Sequence, residues 1–181
     1  MKKLAAILWL PLLFALLFSA CTTAVPYKSP FIDSLRRELS EQVEGLQSLD
    51  VIYLRPDLQF TCRLDEALTN QQIRGAIGKV LPLISAMAGD SDFQRELFHK
   101  TKEASPDTDF ETYTAKKGSM PDLRVTFQIG GLGTPYSYIY AARFYDRPYN
   151  SGLVDQMQYD YYQTWSTEKL PTLPRETVGT G

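Results

Sequence analysis

The chain has 181 residues, of which 44% are hydrophobic and 22% charged, and its formal net charge is −2. A chain of this size suits one domain with its own hydrophobic core, because two independent domains of about half the length would each be marginally stable. The slightly acidic balance argues against the basic surface that nucleic-acid binding requires, so we expect no nucleic-acid partner.

The N-terminus has the layout of an export signal. Met1-Lys2-Lys3 is followed by an apolar stretch from Leu4 to Phe18. As a helix this stretch would span roughly 22 Å, and it is shorter than the ~20 residues that a transmembrane helix normally needs. We therefore predict that residues 1–20 are a signal peptide.

The apolar stretch ends in Leu17-Phe18-Ser19-Ala20-Cys21, which resembles the lipobox of bacterial lipoproteins. The resemblance implies that the chain is cut after Ala20, that the Cys21 thiol carries a diacylglycerol, and that the membrane is a partner through this lipid anchor. It also implies an extracytoplasmic location, on the outer face of the cytoplasmic membrane or on the outer membrane if the source has two membranes. Thr22 gives no inner-membrane retention signal.

The chain has few residues that could bind a metal ion or form a disulfide. With Cys21 lipidated, Cys62 is the only thiol left, and His99 is the only histidine. Cys62 lies on the apolar phase of an alternating segment, which predicts a buried thiol, whereas His99 falls on the polar side of a predicted helix. We therefore expect no internal disulfide, no His/Cys zinc site and no cofactor.

The mature chain is predicted to consist of a lipidated tether (21–29), a single domain (30–167) and a flexible tail (168–181). Ser29 and Pro30 fit the N-cap and the first position of an amphipathic helix. One apolar stripe follows at intervals of three or four residues. Its members are Phe31, Leu35, Leu39, Val43 and Leu46.

The following residues predict two β segments, 49–54 and 58–64, of which the second alternates strictly between apolar and polar residues. Arg55-Pro56-Asp57 lies between them and fits a turn or an edge kink. The two segments therefore form either a hairpin or one broken strand.

Thr69 and Gln72 form a capping-box pair that opens a second helix. Its apolar face consists of Ile73, Ile77, Val80, Leu81, Ile84 and Met87. The opposite face is made of small residues and Pro82, where we expect a kink. Phe93, Leu97 and Thr101 indicate a further short helix.

The rest of the chain is β-rich, with strands predicted at 110–115, 123–129, 136–145 and 157–167. A helix-rich first half and a strand-rich second half predict an α+β fold. We expect a single two-layer domain with an antiparallel sheet and helices packed on one face.

Eight of the eleven tyrosines lie between Tyr136 and Tyr162. If the last two strands pair, their aromatic side chains form a ladder that is a candidate surface for a sugar ring, a peptide or a partner protein. The proposed surface consists of Tyr138, Tyr140, Tyr149, Tyr159, Tyr161 and Trp165. The alternative, which we favour, is that the ladder belongs to the helix-covered face of the sheet. The loops 130–135 and 146–152 are further binding candidates.

No catalytic motif is visible, because His99 is the only histidine and no Gly-x-Ser-x-Gly turn exists. The leading hypothesis is a lipid-anchored, non-enzymatic binding or envelope-associated module with an envelope protein or glycan as partner. One alternative is an envelope glycan or peptide hydrolase whose carboxylates are distant in the sequence. Another is a structural subunit of a membrane-associated complex.

Overall fold

The computed structural model describes residues 24–102, 120–130, 136–145 and 159–169. Its elements in chain order are β1 (Val25–Pro26), α1 (Pro30–Gln42), β2 (Leu46–Leu54), β3 (Asp57–Leu64), α2 (Asn70–Ala88), α3 (Ser91–Lys102), β4 (Leu123–Ile129), β5 (Tyr136–Ala142) and β6 (Trp165–Lys169). The predictions for the signal peptide, Cys21, the strand at 110–115, Tyr149, most of the 130–135 loop, the 146–152 loop and residues 170–181 of the tail lie outside the described residues.

The strands form one open sheet in the order β1-β2-β3-β4-β5-β6. Each neighbouring pair is antiparallel except β3 and β4, which are parallel and are connected through α2 and α3. A parallel pair requires such a crossover, because the chain must return to the end of the sheet where the first strand began. The predicted α+β domain is confirmed, and the sheet is corrected to mixed, mostly antiparallel.

One face of the sheet carries the hydrophobic core. Leu58, Phe60, Cys62 and Leu64 in β3 each expose 2% of their surface or less, and the residues between them are half-buried or exposed. β4 shows the same alternation from Leu123 to Ile129. The helices supply buried side chains to the same core: Ile32, Leu35, Leu39, Ile73, Ile77, Val80, Ile84, Phe93, Leu97 and Phe98. Cys62 is therefore a core side chain, as predicted.

Both capped helix starts that the sequence predicts are confirmed. The amide of Phe31 donates to Ser29 Oγ at 3.2 Å, and Pro30 occupies the first helical position of α1. At the start of α2, the amide of Gln72 donates to Thr69 Oγ1, and the Gln72 side chain accepts from the Thr69 amide at 2.9 Å. These side chains satisfy amides that have no partner within the first helical turn.

The end of α1 differs from the predicted apolar stripe. The helix stops at Gln42, and the chain turns through Gly45, whose φ is 76°. Leu46 therefore begins β2 rather than continuing the helix, because a glycine readily adopts this left-handed conformation. Ile32 is fully buried, whereas Phe31, the first residue of the predicted stripe, is only partly buried.

The hairpin alternative for the first two predicted strands is confirmed. β2 and β3 are antiparallel, with Leu54 opposite Asp57 and Arg55-Pro56 at the tip. The Arg55–Pro56 peptide bond is cis. This tip lies at one end of the sheet, where β2 ends and β3 begins.

α2 continues without interruption through Pro82, from Asn70 to Ala88. Its small-residue face is exposed, and a Cβ placed at Gly75 or Gly78 would meet no heavy atom within 4 Å other than the adjacent residues and the backbone of the helix itself. Over the described ranges, no helix is both long and apolar enough to cross a bilayer.

The segment before α1 is part of the folded domain. Val25 pairs with Tyr53 of β2, and the amide of Tyr27 continues this pairing. Tyr27 is 5% exposed, and its hydroxyl donates to Glu96 of α3 at 3.3 Å. The segment predicted as a tether is thus docked to the domain from Val25 onward.

We expect Tyr27→Ala to lower the free energy of unfolding by about 3 kcal/mol, because truncating a large buried aromatic leaves a cavity. Val25→Ala is the matched control two residues earlier in the same segment. Val25 is 54% exposed, so this change is expected to cost less than about 0.5 kcal/mol. Urea denaturation of both variants measures the difference, and equally small effects would contradict the docking of this segment.

Candidate binding site

Tyr138 and Tyr140 face the covered side of the sheet. They lie opposite Phe127 and Val125 in the β4–β5 pairing, and residues directly opposite one another share a face. Phe127 and Val125 are fully buried. Both tyrosines are half-buried against the core, and the rings of Tyr140 and Phe127 lie 5.9 Å apart. For these two side chains the structure supports the favoured alternative, namely that they belong to the helix-covered face.

Trp165 is also half-buried and connects β6 with α2. It lies opposite Ala142, and its Nε1 donates to Ser85 Oγ at 2.8 Å. Ser85 Oγ in turn donates to the carbonyl oxygen of Tyr162 at 2.8 Å. Trp165 therefore positions the chain around it, with only part of its ring reaching solvent.

The predicted aromatic ladder does not form. β6 begins only at Trp165, and residues 161–162 form a turn instead of continuing a strand. Tyr159 pairs with Tyr145, beyond the end of β5, rather than with a tyrosine inside it. The prediction of one continuous strand over 157–167 is therefore wrong.

Five aromatic side chains instead form what we term the tyrosine cluster. Its members are Phe144, Tyr145, Tyr159, Tyr161 and Tyr162. The ring of Phe144 is central, with centroid distances of 5.0 to 5.7 Å to the other four rings. These contacts are edge-on or tilted, which are favourable geometries for aromatic pairs.

Two members of the cluster reach solvent, and we call them the exposed pair. Tyr159 is 37% and Tyr161 45% exposed, whereas Phe144, Tyr145 and Tyr162 are buried. The two exposed rings are stacked, with centroids 5.4 Å apart and planes 20° apart. The result is a stacked, partly exposed pair of aromatic rings on a buried aromatic base.

The exposed pair is held by a strained turn. Tyr161 and Tyr162 have φ values of 51° and 62°, in the left-handed region. This conformation costs roughly 1–2 kcal/mol for each residue that has a side chain. Their amides donate to the carbonyl oxygens of Phe144 and Arg143, each at 3.1 Å. Strain of this kind concentrates at functional sites, where the surrounding structure holds it in place.

Further contacts fix the turn on both sides. The Tyr162 hydroxyl donates to the carbonyl oxygen of Pro121, just before β4, at 2.8 Å. The Asp160 carboxylate accepts from the amide and the hydroxyl of Thr164, at 2.9 and 2.8 Å. The turn is thus connected to the approaches to β4 and β6, and through Ser85 to α2.

Burial acts on three ionisable groups in and beside the cluster. Burial raises the pKa of Tyr145 and that of Tyr162, so both phenols stay neutral. Burial likewise raises the pKa of Asp122, although Arg143 pairs with it at 3.7 Å. The buried base of the cluster therefore carries no charge.

The residues most often used in catalysis lie elsewhere. Burial raises the pKa of Cys62 to about 12, which leaves it a thiol and a poor nucleophile at neutral pH. His99 is only partly exposed, and its buried Nδ1 finds no hydrogen-bond partner among the described residues. The same residues contain no group of three or more His, Cys, Asp or Glu that could hold a metal ion.

An open cavity of about 500 Å³ lies between α1 and the start of β2. The described residues that line it are Arg36, Arg37, Ser40, Leu46, Gln47, Ser48 and Leu49, and they include no carboxylate. Arg36 is already engaged, because its Nε donates to the Leu49 carbonyl oxygen at 3.1 Å and its guanidinium pairs with Asp33 at 2.7 Å. This cavity therefore lacks the paired acids that a glycosidase requires.

Comparison with protein-family models, with curated proteins and with solved structures found no match for this chain.

Sequence reasoning included Tyr159 and Tyr161 in the candidate surface but missed the residues that support them. Tyr162 and Ser85 carry most of that support, and neither has a distinctive sequence pattern. One signal was available: in Tyr-Asp-Tyr-Tyr, residues 159–162, the adjacent tyrosines cannot share a face of one strand.

We expect Ser85→Ala to destabilise the domain by about 1–3 kcal/mol, because it leaves the buried Tyr162 carbonyl and the Trp165 indole without their partner. Ser34→Ala is the control, since Ser34 is an exposed residue of α1, and it should cost less than about 0.5 kcal/mol. Chemical denaturation followed by tryptophan fluorescence measures both effects. Equal stability of the two variants would contradict the supporting role of Ser85.

Proposed function

We propose that this protein is a lipid-anchored bacterial lipoprotein of the cell envelope that acts as a non-enzymatic binding module, and that the exposed pair is its binding surface. The observation that carries the proposal is the stacking of Tyr159 on Tyr161 in solvent, on a turn whose backbone is strained. The signal peptide and the lipobox at Cys21 supply the envelope location.

The geometry of the exposed pair supports binding. Tyrosine combines an apolar ring with a polar hydroxyl and has few rotatable bonds, so it gives contact area at a small entropic cost. The buried base of Phe144 and Tyr162 limits movement of the pair further. A surface that is ordered before binding loses less entropy when a ligand is bound.

The hydrolase alternative has less support. A glycosidase places two carboxyl groups about 5 to 10 Å apart across its cleft. The cavity beside α1 presents arginines and serines instead. The structural-subunit alternative would use the exposed small-residue face of α2, for which no occupant is indicated.

Lipidation is tested by counting thiols together with fatty-acid labelling. If Cys21 carries lipid, a thiol reagent at pH 8 should detect no thiol in the native mature protein, because burial holds the pKa of Cys62 at about 12. It should detect one thiol after unfolding. Wild-type protein should incorporate a labelled fatty acid, and Cys21→Ser should not. A thiol that reacts in the native protein, or a labelled Cys21→Ser variant, would rule out the anchor at Cys21.

The binding surface is tested by photocrosslinking of the anchored full-length chain in its native envelope. We expect a benzophenone amino acid at position 161 to give a defined adduct, whatever the chemical nature of the partner. The control carries the same group at Glu66, an exposed residue in the turn after β3.

Tyr161→Asn keeps the left-handed backbone, which asparagine tolerates, and should therefore retain the fold. When the Tyr161→Asn protein is added as a competitor, it should fail to block the adduct at position 161. Similar adducts at positions 161 and 66 would count against this surface.

A further inference from the structure

The register of the sheet shows where the anchor and the exposed pair lie relative to each other. One row of paired residues crosses all six strands. It consists of Val25, Tyr53, Leu58, Leu123, Ala142 and Trp165. At this row β1, β3, β4 and β6 begin and β2 and β5 end. The segment that leads back to Cys21 and the segment that carries the exposed pair therefore leave the sheet at the same end.

The chain between the anchor and the sheet is short. Only three residues, 22–24, separate Cys21 from Val25. Four extended steps of the backbone reach at most about 14 Å. β1 cannot easily detach to lengthen this linker, because Tyr27 is buried and is bound to Glu96. With lipid on Cys21, this end of the sheet must lie close to the membrane surface.

The exposed pair extends beyond this row of the sheet by a distance comparable to the length of the linker to Cys21. Tyr145 lies three residues beyond Ala142, which corresponds to about 10 Å in extended chain, and Tyr159 pairs with it. The lateral separation from β1 to β5 is four strand spacings, or about 19 Å. Neighbouring strands of a twisted sheet are rotated by about 20° relative to each other, so β5 points in a different direction from β1. The domain must therefore tilt on its linker to bring the ends of both strands to the membrane surface.

The chemistry of this end suits the membrane–water boundary. Tyrosine concentrates at that boundary because its ring is apolar and its hydroxyl remains hydrated. Val25, at the same end, is 54% exposed. The charged side chains there do not form a basic patch: Asp57, Asp122 and Asp160 accompany Arg55 and Arg143. Attraction to anionic lipids is therefore not the expected driving force.

We propose that the partner of Tyr159 and Tyr161 is the headgroup region of the bilayer that holds the lipid anchor. The inference rests on the proposed anchoring at Cys21 and names the partner of the binding surface proposed above. The anchored domain then lies with the tyrosine end of its sheet on the membrane, and the opposite end, with the turn at Glu66, faces away.

Brominated lipids test this orientation, because bromine quenches tryptophan only at short range. The lipidated full-length protein is placed in phosphatidylcholine vesicles brominated near the headgroup. Tyr161→Trp is compared with Glu66→Trp, and wild type gives the background from Trp165, since Trp9 lies in the predicted signal peptide. We expect the added tryptophan at position 161 to lose emission and to shift to shorter wavelength, and the one at position 66 to do neither. Adding phosphatidylglycerol should leave this difference unchanged.

Each alternative has its own result. If the added tryptophans at positions 161 and 66 respond equally while the protein stays in the vesicles, the membrane contact is overturned but the anchor stands. If the protein does not remain in the vesicles, the proposed anchoring itself fails. A protein or glycan adduct at position 161 in the envelope, instead of a lipid adduct, would retain the binding surface and reject the bilayer as its partner.

Discussion

The complete burial of Tyr162 is the constraint on which the arrangement of the site depends. Its hydroxyl is bonded to the approach to β4 at Pro121, and its carbonyl oxygen accepts from Ser85 of α2. Its ring contacts Phe144. A residue held at three points can keep its backbone in the left-handed region, because the contacts together outweigh a strain of roughly 1–2 kcal/mol. The orientation of Tyr161 follows, since it is the preceding residue of the same turn.

Local rules were sufficient to predict most of the fold. The cap at Ser29, the capping box at Thr69 and the alternation in β3 and β4 each depend on residues close together in the chain. The parallel pairing of β3 with β4 was not predicted, because two alternating strands look the same whichever direction they run relative to each other. The docking of the segment before α1 was also missed, since two residues of β1 are too few to show a pattern.

The sequence indicated that the candidate site is rich in tyrosine, but it did not predict how these tyrosines are arranged. Tyrosine enrichment pointed to the region of the tyrosine cluster, yet half of the proposed surface, including Tyr138 and Tyr140, is packed against the core. An alternating pattern indicates that a strand has two different faces, but it does not show which face the helices cover. The left-handed turn at residues 161–162 could not be predicted either, because it is held by Ser85 and Pro121, which are distant in sequence. An aromatic cluster created by tertiary contacts is visible only once the chain is folded.

The bond between Arg36 Nε and the Leu49 carbonyl has a consequence for the outer edge of the sheet. β1 covers only two residues of the outer edge of β2, so the earlier part of that strand presents backbone groups that another strand could pair with. Arg36 occupies the Leu49 acceptor, so this carbonyl is closed to an incoming strand, and covering an edge is a recognised protection against edge-to-edge aggregation. The same side chain that lines the cavity thereby removes one acceptor from the outer edge of the sheet.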